Sequence, residues 1–417
     1  MTLFSFVFLA ALAIATSLRL WLAWRHIHHV RSRRAAVPAE FSGEIGLEAH
    51  QRAADYTCAK TQLAMVSVAV ETLIVLALTF GGGLQALHEL AASWLSAGIA
   101  RSLVLIALVT VLMTAVELPF NCYRTFRIEQ RFGFNRMTPR LFFIDLAKSI
   151  LLAAAFGIPL AASVLWLMDG MGSYWWLYAW IVWIGFNLFM LAIYPTVIAP
   201  LFNRFSPMQD AELRERVERL LLRCGFRVKG LMVMDGSRRS SHGNAYFTGF
   251  GKSKRIVFFD TLLSRLNPPE VEAVLAHELG HFKLRHVVKR MAWIFIASLG
   301  VLWLLGYLAE QDWFYQGLNV QAQSTAVALI LFFLVLPSFT FFLQPLGALY
   351  SRKHEFEADR YAAQNASASD LVSALVKLYR DNASTLTPDP VHSAFYDSHP
   401  PAIARIARLK TAAATPA

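Results

Sequence analysis

Charge is in short supply in this chain. Only 16% of its 417 residues are Asp, Glu, Lys or Arg, against about 25% in soluble domains. That shortage, beside a 56% hydrophobic content, excludes an ordinary soluble multidomain chain and points to a membrane protein. Cysteine is nearly absent as well. Cys58, Cys122 and Cys224 form an odd, scattered set with no CxxC pair, which excludes a disulfide framework and a thiolate metal site and leaves buried free thiols. Internal repeats are also missing, so a solenoid is excluded, and the one low-complexity tract is an Ala-rich end after Lys410. The last absence is local: the extreme N-terminus and segments 84–99, 169–174 and 309–324 hold no Lys or Arg.

Long apolar runs take the place of charge. A membrane span needs about 20 mostly apolar residues, and seven stretches qualify, near 3–24, 62–83, 100–120, 147–168, 175–200, 287–308 and 325–348. The first has no basic residues before it, and Arg25, Arg31, Arg33 and Arg34 follow it. It therefore reads as a retained span and not a cleaved signal. The segments without Lys or Arg fall on one side of the seven spans and the basic ones on the other. Positive-inside logic places the N-terminus outside and the C-terminus in the cytosol. The net charge of +11 then reflects topology and attraction to membrane lipids. Spread over several loops, it does not make a nucleic-acid surface.

Two cytosolic stretches are long enough to fold. The chain divides into 1–200 (five spans and their loops), 201–286 (a catalytic segment), 287–350 (two spans) and 351–417 (a C-terminal cytosolic segment). Within 201–286, "SPMQDAELRERVERLLLRCG" has an apolar face of Leu213, Val217, Leu220 and Cys224 and a stop at Gly225, which predicts an amphipathic helix. Three short β-rich runs, "VKGLMVMDG", "NAYFTGFG" and "KRIVFFD", predict a small sheet. The next segment, "NPPEVEAVLAHELGHFKL", reads as a helix capped by Asn267, with Pro268 at its first position and Glu270 placed for a capping box.

That helix carries the chemistry. His277 and His281 lie four apart, so both present a ring nitrogen to the same side. Glu278, on the flank of that face, can reach a water activated by the ion without ligating it. This HExxH spacing is the one by which Zn²⁺ is held and a glutamate takes the proton of the attacking water. Leu284 and Val287 occupy the positions where an extended HExxHxxGxxH pattern needs Gly and His, so the third ligand must come from elsewhere. "SRKHEFEADRYA" (351–362) supplies it. Glu355 and Asp359 share a helix face, with Glu357 roughly opposite. Glu355 is assigned as the ligand and Asp359 as the carboxylate that orients a ligating histidine.

Together, "DGSRRSSHGNAYFTGFGKSKRIVFFDTLL", "HELGHFKLRH", "SRKHEFEADRYA" and "SHPPAIARI" resemble the type I CAAX prenyl proteases, with "EQRFGFNRMT" and "APLFNRFSP" extending the likeness. The resemblance implies a mainly α, multi-pass membrane fold. Seven transmembrane helices would enclose a chamber, with a small zincin-like α/β catalytic domain at its cytosolic end and one Zn²⁺ per chain. It implies that His399 stabilises substrate or oxyanion and that Arg405 braces it or binds substrate backbone. Ala404 replaces a frequent Glu and leaves Arg405 without an evident partner. The resemblance also makes Asn244, Ala245, Tyr246 and Phe247 the edge strand on which an extended substrate pairs. The implied substrate is a peptide or protein tail carrying a lipid or membrane anchor, of the prenylated CAAX kind. The Ala-, Arg- and Leu-heavy composition looks bacterial, which implies the cytoplasmic membrane, or the endoplasmic reticulum membrane in a eukaryote, with a cytosolic active site. A heat-shock-type quality-control protease shares HExxH and a downstream Glu but has fewer spans. A transporter or non-catalytic scaffold is disfavoured by the scarcity of charge inside the spans, where Glu71 and Glu117 stand out.

Overall fold

Seven helices are long and apolar enough to cross a membrane in the computed structural model, which describes residues 1–228, 230–248 and 255–414, the last three as backbone only. They are Leu3–Ser32, Leu47–Leu78, Ile99–Glu129, Pro139–Gly170, Gly172–Phe202, His286–Ala309 and Thr325–Asn365. Several run well past the apolar stretch that predicts them, carrying polar turns out on the side rich in Lys and Arg. The second ends earlier than its hydrophobicity suggests, at Leu78. Gly82 takes a left-handed φ of 73° there, and this turn starts a separate short helix, Gly83–Trp94.

The spans do not form a solid bundle. In the most apolar window of each of the first six, between 6% and 22% of residues are buried, against 50% in the seventh. A helix packed on all inner faces would bury far more of itself. The spans meet in a shared core that includes Phe8, Leu105, Leu165, Ala179, Leu305 and Leu331, and much of each remains exposed outside it. Cys58 and Cys224 are buried free thiols and Cys122 is half-buried.

At one end of the spans sits a four-stranded sheet of order β1-β2-β4-β3. Its strands are β1 (Phe205–Pro207), β2 (Gly230–Met234), β3 (Ala245–Thr248) and β4 (Arg255–Phe259). β2 and β4 are parallel, and β1 and β3 flank them antiparallel. β3 is therefore an edge strand, its outer side free of any described strand. The "GFG" end of its sequence run lies outside the described residues.

The sheet packs on α1 (Ala211–Arg223) and α2 (Pro268–Lys283) through a core that includes Val217, Leu220, Ile256, Phe258, Val271 and Leu279. Asp210 caps α1 by accepting from Leu213 N–H. At the start of α2, Asn267 and Glu270 exchange side-chain hydrogen bonds at 2.9 Å with each other's backbone N–H. Glu270 also accepts from Ser373 and Lys377 at 2.7 and 2.8 Å, which ties α2 to α4 (Ala368–Asp381).

The metal-side carboxylates are not on a separate tail segment. The seventh span passes through a tight turn at Phe341–Leu343 into α3 (Gln344–Asn365), so the division expected at residue 350 falls inside a helix. α3 crosses α2 at Gly280, where an added Cβ would lie 3.0 Å from Ala358 Cα and 3.1 Å from Tyr361 Cβ. A side chain there would have to push the two helices apart by a few tenths of an ångström.

Candidate metal centre

The close crossing of α2 and α3 brings three of the expected residues to one point. His277 Nε2 and His281 Nε2 lie 3.3 Å apart. Glu355 offers Oε2 at 3.5 Å from the first and Oε1 at 3.3 Å from the second. Ligands on a tetrahedral ion with bonds of about 2.0–2.1 Å stand roughly 3.4 Å from one another, and each of these separations is close to that, with one carboxylate oxygen turned to each histidine. Glu355 Oε2 is buried without a hydrogen-bond partner, a costly state for a carboxylate oxygen that a cation between these atoms relieves. Two nitrogens and a carboxylate oxygen, with the fourth direction open, form a donor set that fits zinc.

Each histidine is held from behind. Asp359 accepts from His277 Nδ1–H at 2.9 Å, which fixes the tautomer whose Nε2 lone pair points into the site. Burial disfavours a protonated His277, but the hydrogen bond to Asp359 and the nearby Glu355 carboxylate outweigh it and raise its pKa to about 9. The same field that holds a proton there favours a divalent ion. Asp359 in turn receives a two-pronged contact from Arg405 on α5 (Ala402–Ala414), at 2.9 and 2.6 Å.

Arg405 is thus placed differently from the sequence expectation. It is buried, its guanidinium is engaged by Asp359, and Nη1 lies 3.7 Å from Glu355. It braces Asp359, the carboxylate behind His277. The family's missing Glu at Ala404 is made good by Asp359, 46 positions away.

His281 has a backing that the sequence reading missed. Its Nδ1 lies 3.0 Å from His286 Nδ1, and His286 Nε2 lies 2.9 Å from Glu357. With His281 Nε2 kept free for an ion, its Nδ1–H donates to His286, whose Nε2–H donates to Glu357. Only one set of tautomers satisfies the chain. The ring of His354 stacks on His286 at 3.9 Å. Glu357 does face away from Glu355, but toward this histidine and not into solvent. A signal existed: a third histidine five residues after HExxH, on the turn where Arg285 takes a left-handed φ of 58°.

Glu278 is half-buried, and its carboxylate makes no hydrogen bond or ion pair among the described residues. His399 opens onto the site with Nε2 3.4 Å from Glu355 Oε1 and Nδ1 3.0 Å from Ser398 Oγ. Although its side chain is open to the site, partial burial lowers its pKa, against the opposing pull of Glu355. Ala245, Tyr246 and Phe247 lie in β3, and Asn244 just precedes it, accepting from Phe259 N–H at 3.0 Å.

Comparison with known proteins follows the same geometry. A model described as CAAX prenyl protease N-terminal, five membrane helices, matches residues 26–204, and one for peptidase family M48 matches residues 207–413. The chain belongs to peptidase family M48. CAAX prenyl protease 1 homologs from Arabidopsis thaliana and Homo sapiens are 41% and 33% identical to it, covering 70% and 75% of this chain and 69% and 74% of theirs. The crystal structure of S. mikatae Ste24p superposes with a TM-score of 0.91 at 30% identity, over 98% of this chain and 99% of that one. The protein is a multi-pass integral membrane metalloprotease, and the heat-shock-type and transporter readings give way to it.

Proposed function

We propose that the chain is a zinc endopeptidase that cuts peptide bonds near the C-terminus of membrane-tethered substrates, CAAX-type prenylated tails above all. The observation that carries this is the cluster of His277 Nε2, His281 Nε2 and the Glu355 carboxylate, whose Oε2 is buried without a hydrogen bond, set beside an edge strand with no described strand on its outer side. Names of relatives add the substrate class, since those proteins are called CAAX prenyl proteases.

In this reading His277, His281 and Glu355 hold the ion. When bound, zinc polarises the scissile carbonyl and lets water attack at neutral pH. Glu278 takes the proton of the attacking water and delivers it to the leaving amine. β3 fixes the substrate as an added strand, reading backbone and leaving side chains free. His399, facing Glu355, donates a hydrogen bond to the oxyanion as charge builds on it. Asp359 with Arg405, and His286 with Glu357, keep the two ligating rings aimed.

A purified, zinc-replete sample should cleave a farnesylated CAAX-type peptide, lose that activity to a chelator, and recover it on zinc addition. Cleavage that persists through full chelation would falsify the zinc assignment.

We further infer that the site faces the cytosol of a cytoplasmic or endoplasmic reticulum membrane, because Lys and Arg gather on its side. An impermeant thiol reagent added outside should label cysteines introduced at Ser96 or Ser173 and leave those at Glu212 or Ser369 unmodified. All four are exposed positions. Outside labelling at Ser369 reverses the orientation and removes cytosolic tails from the substrate list.

A further inference from the structure

A cavity of about 730 Å³ opens at the N-terminal end of β3. Its lining includes His242, Gly243, Asn244 and Tyr246 from the approach to and the start of that strand, with Tyr56 and Lys60 from the second span facing them. The zinc-peptidase reading above assigns it no role. An extended peptide that pairs antiparallel with β3 runs its C-terminal half toward that strand's N-terminal end. The piece released by cleavage therefore points into this cavity.

The cavity's charge is one-sided. No Asp or Glu is among its described lining residues. Arg239 is already neutralised by Asp145, at 2.8 and 3.1 Å. His242 is taken up by Asn382 at 3.3 Å and Glu129 at 3.6 Å, and its ring stacks on Phe134 at 4.4 Å. Glu129, which is not among the lining residues, also accepts the Tyr56 hydroxyl at 2.5 Å. That bond locks the Tyr56 ring as a platform, and the Lys60 ammonium sits over it, 4.0 Å from the centroid. Lys60 is exposed and makes no close ion pair among the described residues; the Glu129 carboxylate that holds Tyr56 attracts it at longer range. An oriented ammonium with no close ion-pair partner, in a cavity whose described lining holds no acidic residue, is placed to receive a single carboxylate.

We propose that Lys60 binds the free α-carboxylate of the substrate's C-terminus, so that the distance from Lys60 to the metal centre sets how short a tail is removed. The inference rests on β3 being the substrate strand. It explains why a peptidase that reads backbone along β3 selects tails over internal loops: only a chain end brings a carboxylate to that cavity.

The test compares two farnesylated tail peptides of one sequence, one ending in a free acid and the other in an amide. Zinc-replete wild type is expected to show a KM roughly 10- to 100-fold higher for the amide, with kcat little changed, from the loss of one charge-assisted hydrogen bond. Lys60→Met keeps the stem over Tyr56 and removes the charge. It should raise KM for the acid by a similar factor, erase the difference between acid and amide, and leave zinc content unchanged. Lys60→Arg should restore the preference in part. Equal cleavage of acid and amide by wild type overturns the proposal and needs no variant, and so does a preference that survives in Lys60→Met. Cleavage of internal loop peptides with neither tail peptide cut removes the tail-processing reading, and this inference goes with it.

Discussion

Glu278→Gln is expected to keep its metal and lose its turnover. The amide is nearly the same shape as the carboxylate and touches none of the three ligand atoms, so His277, His281 and Glu355 remain spaced at 3.3–3.5 Å. What it loses is the ability to accept a proton. Glu278 has no partner among the described residues to fix or neutralise it, which leaves its carboxylate free for that task. General-base removal costs about 10²–10⁴-fold. The measurement is zinc per chain by elemental analysis beside kcat on a farnesylated peptide. Near-unit zinc with kcat down by roughly 10²-fold or more is the expected pair. An active Glu278→Gln enzyme ends the general-base assignment, and a zinc-free one reassigns Glu278 as structural.

The second large effect belongs to Glu355. Glu355→Ala removes the only charged member of a three-ligand set and leaves two neutral rings. Zinc should be lost on dialysis, and activity should fall with it by at least about 10²-fold. Glu357→Ala gives the contrast. It deletes the acceptor at the far end of the His281–His286 chain, so occupancy should persist while release to a competing chelator quickens by roughly 10-fold or more, the usual scale for groups that orient a ligand. Both substitutions sit on α3 two residues apart, which controls for any general disturbance of that helix. If Glu357→Ala strips the metal and Glu355→Ala retains it, the ligand set is misassigned.

Much of this centre was legible because it is local. The i, i+4 spacing of His277 and His281, and of Glu355 and Asp359, needs nothing beyond helical periodicity. The start of α2 was equally plain, since Asn267, Pro268 and Glu270 form a cap from within four residues. The spans announce themselves by length and hydropathy. The contacts that escaped are those between segments remote in sequence. Glu357 meets His286 across 71 positions, and Arg405 reaches Asp359 across 46 and His277 across 128. Helical phase alone puts Glu357 opposite Glu355, and it cannot say that the second span of contact is another histidine.

The sequence by itself determined the membrane class, the count of spans, the bias of basic residues to one side, and the chemistry of HExxH with a downstream Glu. Hydrophobic length, charge and helical spacing are properties of neighbouring residues, and neighbours are what a sequence records. Only the tertiary structure decided that Arg405 braces Asp359, that His286 and Glu357 hold His281, and that Lys60 faces the N-terminal end of β3. Each of these depends on how closely two distant elements approach. At Gly280 that distance is set by a missing side chain against Ala358, a fact that exists only once α2 and α3 are packed.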